Sequence, residues 1–207
     1  PTTSDQISLI QSQASLIAST NNTAYELTEY AFGYRASNLD ETEISKILNS
    51  FYISDGWINM SNISSRIGLT SFPLNNSFKN AANRRHSAAH IAQSNIPIID
   101  LEQYIKEAIG IAISFDCLLS KAMYHIKNHS IPYLTKKIII SASTINLSFI
   151  KLDHKIWKYK RESALRAVKQ DTDKNILISN VITKAQSKRE TLIIYDDKHD
   201  IKDWYCY

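Results

Sequence analysis

The sequence predicts a mainly α-helical protein, with a helical bundle over residues 1–146 and a small basic α+β unit of β-β-α-β order over residues 147–207. Apolar residues recur at helical spacing before residue 146, and after it they alternate with polar residues. Glycine is scarce, with 4 residues in a chain of 207, where average usage of roughly 7% would give about 14. This scarcity disfavours turn-rich all-β folds, and no glycine-rich loop for a nucleotide phosphate occurs.

The first two predicted helices cover residues 24–36 and 40–51. The first carries a single apolar stripe, which is typical of a helix that packs on one side. The second opens with Asp40 and Glu43, whose spacing is that of a capping box, and continues with apolar residues at helical steps.

Two longer helices are predicted over residues 76–92 and 100–126. The first is rich in alanine, the strongest helix former. The second follows Pro97 and begins with Asp100 and Gln103, which we interpret as another capping pair. Because this second helix is apolar over a broad arc, we expect it to be central or to face another subunit.

Beyond residue 146 the hydrophobic period shortens toward two. Residues 147–152 and 156–161 alternate, residues 191–197 form a short β-rich run, and residues 173–189 return to helical spacing. These segments predict the small β-β-α-β unit.

Charge separates the same two regions. The formal net charge is +4, and residues 147–207 carry all of it, because Lys and Arg balance Asp and Glu over residues 1–146. A basic region of this kind fits a polyanionic partner. The two cysteines, Cys117 and Cys206, lie far apart in sequence, and Cys117 falls in an apolar run. We therefore expect a reducing compartment rather than a disulfide scaffold.

No stretch of the sequence reads as a membrane span of roughly 20 apolar residues. The first ten residues also lack the basic region with which a signal peptide opens. These observations predict a cytoplasmic protein with no membrane partner.

The densest polar cluster lies within the predicted third helix, at Asn83, Arg84, Arg85, His86, Ser87 and His90. Arg85 and His90 form an R-x4-H pair. A histidine can exchange a proton near neutral pH while a guanidinium stabilises charge on a phosphate, so the pair could cleave RNA without a metal. Five residues on an ideal helix rotate by about 140°, so the two side chains share a face only at a helix end or across subunits. The alternative is a solvated helix surface.

This cluster resembles the motif of the HEPN superfamily of prokaryotic RNases and RNA-binding domains, particularly the RiboL-PSP-HEPN-like group. The motif is NRRHSAAH at residues 83–90, and the segments KILNSFYISDGW (46–57), SNIPIIDLEQYIKEAIGIAISFD (94–116) and IWKYKRESALRAVKQ (156–170) also look similar to family members. The similarity covers roughly residues 25–207. Two features depart from the family pattern: His86 replaces the more usual asparagine, and residues 1–23 are only weakly apolar.

The resemblance implies a HEPN-like helical bundle and a metal-independent endoribonuclease that needs no cofactor, in which the ribose 2′-hydroxyl attacks the adjacent phosphate. In that interpretation His90 is the general acid or base, Arg85 stabilises the pentavalent phosphate, and His86 and Arg84 assist. It also implies a homodimer, a role as a toxin or phage-defence effector, and a cognate antitoxin or inhibitor. The alternative is a non-catalytic HEPN module that binds RNA or a protein partner.

Basic and aromatic residues interleave in the second predicted strand, an arrangement that suits single-stranded RNA. The predicted RNA-binding residues, besides Arg84, are Lys155, Trp157, Lys158, Tyr159, Lys160 and Arg161. On a strand the odd-numbered residues share one face and the even-numbered residues share the other. The alternative is that Trp157 and Tyr159 pack against the helix at 173–189 while the lysines are solvated.

Two further possibilities have less support. His86 with His90 and His125 with His129 are spaced like metal ligands on a helix, but no H-E-x-x-H occurs and Pro132 indicates that His129 lies beyond a helix end. No metal is therefore predicted. Asp116, the only charge in the apolar run around Cys117, could orient a histidine such as His90.

Overall fold

The computed structural model describes residues 40–69, 72–90 and 97–207, and the side chains of residues 86–90 and Leu101 lie outside that description. Residues 40–207 form one compact unit. The predicted helix at 24–36 and the weakly apolar residues 1–23 lie outside the described residues.

Five α-helices and one short 3-10 helix (Ala142–Thr144) precede the strands in the described part of the chain. The α-helices are α1 (Glu41–Ser50), α2 (Gly56–Arg66), α3 (Leu74–His90), α4 (Ile98–Lys127) and the single turn α5 (Ile131–Leu134). The predicted N-cap of α1 is confirmed, because the Asp40 carboxylate accepts from the Glu43 backbone N–H at 2.8 Å. The reciprocal bond of a capping box is not formed, since the Glu43 carboxylate pairs with Lys46 instead. The predicted cap of α4 is wrong. This helix begins after Pro97, so Asp100 lies inside its first turn.

Helix α2 is absent from the sequence prediction, and it forms where the chain turns sharply at Asp55, whose φ is 51°. Gly56 follows because a Cβ at that position would lie only 2.4 Å from Leu48 Cδ1 of α1. The helix then buries Met60 and Ile63 in the core. Glycine thus permits the close approach of α1 and α2.

Five strands and one helix complete the fold. They are β1 (Asn146–Asp153), β2 (Ile156–Arg161), β3 (Lys169–Asp171), α6 (Lys174–Lys188), β4 (Glu190–Tyr195) and β5 (Ile201–Tyr205). The strands form one sheet in the order β3-β2-β1-β4-β5. Strands β1 and β4 are parallel, whereas the other three neighbouring pairs are antiparallel. Helix α6 provides the crossover that parallel pairing requires.

The prediction of a mainly α protein, with a HEPN-like helical bundle and a β-β-α-β appendix, is wrong. The fold is α+β with a five-stranded mixed sheet. The sheet is larger than predicted because β3 and β5 also join it. Strand β3 is three polar residues held by pairing with β2, so it has no apolar alternation that the sequence could show.

The two faces of the sheet enter two different cores. One face packs against α6, with Ile150, Tyr159, Leu177, Val181 and Leu192 buried between them. The other face contributes Leu147, Ile193 and Tyr195 to the core formed by the first helices. The predicted boundary at residue 146 coincides with the start of β1, but this strand contributes to both cores.

Arg66, the last residue of α2, ties the helices to the sheet. Its guanidinium donates to the carbonyls of Ala142 and Ile145 and to the Glu162 carboxylate just after β2. Charge-assisted hydrogen bonds of this kind are roughly twice as strong as neutral ones.

By length and composition alone, helix α4 could cross a membrane. Among the described residues, one helix meets this test. The sequence prediction found no span. Ile113, Leu118 and Ala122 of this helix are fully buried, whereas Ile98, Ile99 and Ile105 are exposed, and about a third of its most apolar stretch is buried. The core helix of a globular domain passes the same test of length and composition.

Candidate nucleic-acid interface

Helix α3 carries the whole R-x4-H motif, but the side chains of His86 and His90 lie outside the described part. Arg84 turns toward α4, where its Nη2 lies 3.4 Å from Asp100 Oδ2 and its Nη1 donates to the Asp100 carbonyl. Arg85 is exposed, and within the described residues it has no ion-pair partner. Because α3 is continuous from Arg85 to His90, the two positions are about 140° apart around its axis.

The odd-numbered side chains of β2 face α6, as the alternation requires. Tyr159 is fully buried there, and its hydroxyl donates to Glu190 Oε2 at 2.6 Å. Burial, together with the hydrogen bond to Glu190, raises the pKa of Tyr159. Arg161 pairs with the other oxygen of the same carboxylate, Nε to Oε1 at 2.6 Å. Trp157 packs against this core with Lys174 Nζ 4.7 Å from its ring centroid.

Three predicted RNA-binding residues, Trp157, Tyr159 and Arg161, therefore have structural partners on the α6 side of the sheet. This is the packing alternative that the sequence left open. Trp157 and Tyr159 are thereby separated from Lys158 and Lys160, which lie on the opposite face. Arg161, at the end of the strand, pairs with Glu190 and also lines the groove on that opposite face.

That opposite face forms an open groove along the β1–β2 hairpin, with a volume of about 340 Å³. In the strand register Phe149 lies opposite Lys160, and Lys151 lies opposite Lys158. Directly opposed side chains have their Cβ atoms roughly 5 Å apart, so three ammonium groups and one aromatic ring share a small surface. The residues that line the groove are Phe149, Lys151, Asp153, Lys158, Lys160, Arg161 and Glu162.

The acids of this groove are already paired. Asp153 lies 2.6 Å from Lys158, and this hydrogen bond lowers the pKa of Asp153. Glu162 is bound by Arg66. Lys151 and Lys160 have no ion-pair partner among the described residues, so the groove has two uncompensated positive charges.

Lys151 is the more unusual of these two cations. Its Nζ lies 4.1 Å from the ring centroid of Tyr195 and 5.2 Å from that of Phe149. Burial of the ammonium against these rings lowers the pKa of Lys151. An anion beside this ammonium would offset its lost hydration.

Lys151 and Phe149 were missed by sequence reasoning, which considered only the second strand. The signal was present in the alternation of residues 147–152, because Phe149 and Lys151 share a face in any strand register. Lys155, which was predicted, is exposed in the turn between the strands with a φ of 66°.

The histidine and carboxylate alternatives have other structural explanations. His125 stacks on Tyr133, with ring centroids 5.1 Å apart. Burial of the imidazole lowers the pKa of His125, and the positive charges of Lys121 and Arg189 lower it further. His129 lies beyond the end of α4, as Pro132 indicated. Asp116 accepts from Trp204 Nε1 at 2.9 Å and from Ser120 Oγ at 3.0 Å.

In the described ranges no group of three or more His, Cys, Asp or Glu side chains is placed to hold a metal ion. No protein-family model matches the sequence, and no curated protein or solved structure is significantly similar to it.

Proposed function

We propose that this protein binds single-stranded RNA in the groove of the β1–β2 hairpin. The observation that carries the proposal is the pair of uncompensated ammonium groups, Lys151 and Lys160, on one open sheet face. Lysines along neighbouring strands match a phosphodiester chain, whose charges repeat along its length.

The aromatic ring in the groove favours a single strand, whose bases are unpaired. The volume of the groove, about 340 Å³, is at the lower end of the range of roughly 300 to 1,000 Å³ that small-ligand sites occupy. Phe149 is partly exposed within it, so an unpaired base can stack on an aromatic ring while the lysines contact phosphates.

A binding titration tests the proposal. A labelled single-stranded RNA is titrated with the full chain at several salt concentrations, and the variant Lys151→Ala/Lys160→Ala is compared with Lys184→Ala/Lys188→Ala. The control pair removes the same charge from α6, which covers the opposite sheet face. We expect the groove variant to bind roughly tenfold more weakly and to lose about 1.4 from the salt slope, since each phosphate contact on a single strand contributes about 0.7.

Equal losses of affinity in the two variants would show that only the overall charge matters, and the groove would then not be the binding site. An affinity that does not change with salt would also reject phosphate contacts.

Endoribonuclease activity is the second candidate, and it rests on the resemblance of the R-x4-H motif. The observation that favours it is the exposed Arg85, which has no ion-pair partner in the described part and lies on one continuous helix with His90. Because the two positions do not share a helix face, we propose that a second copy of the chain completes the site in a homodimer. Toxin or phage-defence roles belong to this candidate.

Cleavage separates the two candidates. Single-stranded RNA is incubated with the full chain in the presence of a chelator, and the products are resolved on a denaturing gel. For a general acid or base we expect His90→Ala to lose about 10² to 10⁴-fold in rate. If the protein binds the RNA but does not cleave it, the endoribonuclease hypothesis is rejected and the RNA-binding proposal is retained.

A further inference from the structure

The two cysteines of the chain meet in space although they are 89 residues apart in sequence. Cys117 is on α4 and Cys206 directly follows β5, and their Sγ atoms are 3.7 Å apart. Thr191 Oγ1 lies beside both, 3.6 Å from Cys117 Sγ and 3.8 Å from Cys206 Sγ. The sequence analysis noted only their separation along the chain, and both thiols are free in the structure.

We propose that Cys117 and Cys206 form a modification site, which hydrogen peroxide converts from two thiols into one intramolecular disulfide. A disulfide bond is about 2.05 Å long. The two sulfur atoms, now 3.7 Å apart, must therefore move closer by less than the van der Waals radius of a sulfur atom. The proposal does not rest on RNA binding.

The exposure of the two cysteines decides which one reacts with peroxide first and which one then forms the disulfide. Cys117 is 2% exposed whereas Cys206 is partly exposed, so Cys206 meets the oxidant first. Its sulfur, as the thiolate, attacks one peroxide oxygen, the O–O bond breaks, and one water leaves after proton transfer, which gives a sulfenic acid. The Cys117 sulfur then attacks the Cys206 sulfur, the S–O bond breaks, and the second water leaves. Two thiols thus lose two electrons and two protons, and one peroxide is reduced to two waters.

The pocket beside the sulfurs is small. Its internal volume is about 10 Å³, which is the lower limit for one water molecule. Hydrogen peroxide, with two oxygen atoms, needs a slight widening of the pocket, whereas a tripeptide disulfide such as oxidised glutathione is far larger. The pocket is lined by Cys117, Cys206, Ser120, Lys121, Thr144, Ile145, Asn146, Arg189, Thr191 and Tyr207.

The environment also makes the reaction slow. The contact with Cys117, together with burial, raises the pKa of Cys206. Because the thiolate is the reactive form, we expect the pair to survive brief exposure to peroxide and to oxidise under sustained exposure.

The disulfide would join the segment that follows β5 to helix α4. Among the described residues, strand β5 lies at the sheet edge and pairs with β4 alone, and Cys206 follows its last residue. A bond to Cys117 would close a loop of 89 residues, and loops of that length give some of the larger stabilisations predicted for a disulfide.

Mass spectrometry and thiol titration test the proposal on the full chain. After peroxide treatment under native conditions we expect both thiols to disappear, the intact mass to fall by two hydrogen atoms, and one non-reduced peptide pair to join Cys117 to Cys206. The oxidised protein should melt about 5 to 10 °C higher, and a reductant should reverse each change.

Cys206→Ser is the principal control, because Cys206 is partly exposed, whereas Cys117→Ser would place a hydroxyl in the core. In Cys206→Ser we expect no intramolecular disulfide and no rise in melting temperature. Two thiols that stay titratable after prolonged treatment, a disulfide that links two chains, or irreversible oxidation of Cys206 alone would each overturn the proposal.

Discussion

Tyr195 carries a phenol hydroxyl into the helical core, where it donates to the Ile67 carbonyl at 2.6 Å. Burial raises the pKa of Tyr195 to about 12, and burial likewise raises the pKa of Tyr133 to about 12. Between pH 10 and pH 12 the folded state therefore keeps protons that the unfolded state has lost. The linkage relation then requires the free energy of unfolding to fall as pH rises through this window.

The first prediction is that Tyr195→Phe reduces this alkaline loss of stability. At pH 8 we expect the variant to be less stable by about 1 kcal/mol, because the Ile67 carbonyl loses its hydrogen bond. Between pH 10 and pH 12 its unfolding free energy should fall less steeply than that of the wild type, with the remaining slope due to Tyr133 and the other buried phenols such as Tyr159. Urea unfolding at a series of pH values measures both effects. Parallel curves for the two proteins would contradict the assignment.

The candidate site shows what a single residue pattern can predict. Lys158 and Lys160 were predicted and do line the groove, because alternation on a strand fixes which side chains share a face. The same rule cannot tell which face is covered. Tyr159 and Arg161 turn inward because Glu190, about thirty residues later in the chain, accepts from one and pairs with the other.

At the scale of elements, the contact between α2 and α4 depends on one missing side chain. A Cβ at Gly110 of α4 would lie 2.5 Å from Ser64 Oγ of α2. Ser64 is fully buried, and its hydroxyl has no hydrogen-bond partner in the described part of the chain. The two helices therefore pack closely around a polar atom that contributes no hydrogen bond.

The second prediction is a double-mutant cycle at this contact. Although alanine is the better helix former by about 1 kcal/mol, we expect Gly110→Ala to destabilise the protein by about 1 to 3 kcal/mol through overpacking. Ser64→Ala alone removes an unsatisfied buried hydroxyl, so it should be neutral or stabilising. Combined with Gly110→Ala it also removes the oxygen that the new methyl group would meet. The double variant should recover most of the loss, with a coupling energy of about 1 kcal/mol or more in denaturant unfolding. Additive effects would show that the helices can separate freely.

Element prediction succeeded where the hydrophobic period was strong and failed where pairing alone makes the element. Helices α1 and α6 and strands β1, β2 and β4 are confirmed within a few residues. Strand β3 has no apolar residue, and β5 has a polar interior, so neither shows a period of two. Helix α2 has apolar residues at helical steps but was not among the predicted helices.

At the scale of the whole molecule, the fold class depends on where the second face of the sheet is buried. The core of the first helices includes three strand residues, Leu147, Ile193 and Tyr195. Their own sequence segments show that they can be buried, but not that they are buried against helices much earlier in the chain. The sequence therefore suggested a separate appendix. The structure instead places these side chains in the helical core, and Arg66 bonds α2 to both Ile145 and Glu162.

The last prediction separates these two views of the molecule. Residues 147–207 alone would keep only the small core between α6 and one face of the sheet, and would expose Leu147, Ile193 and Tyr195 to water. Chains of this size are marginal even with a complete core, so we expect the isolated fragment to be unfolded. Its amide NMR spectrum should be poorly dispersed, whereas residues 40–207 expressed together should give a dispersed spectrum and cooperative unfolding. A fragment that folds alone would restore the division at residue 146, and the helical core would then be a docking surface rather than a condition for forming the sheet.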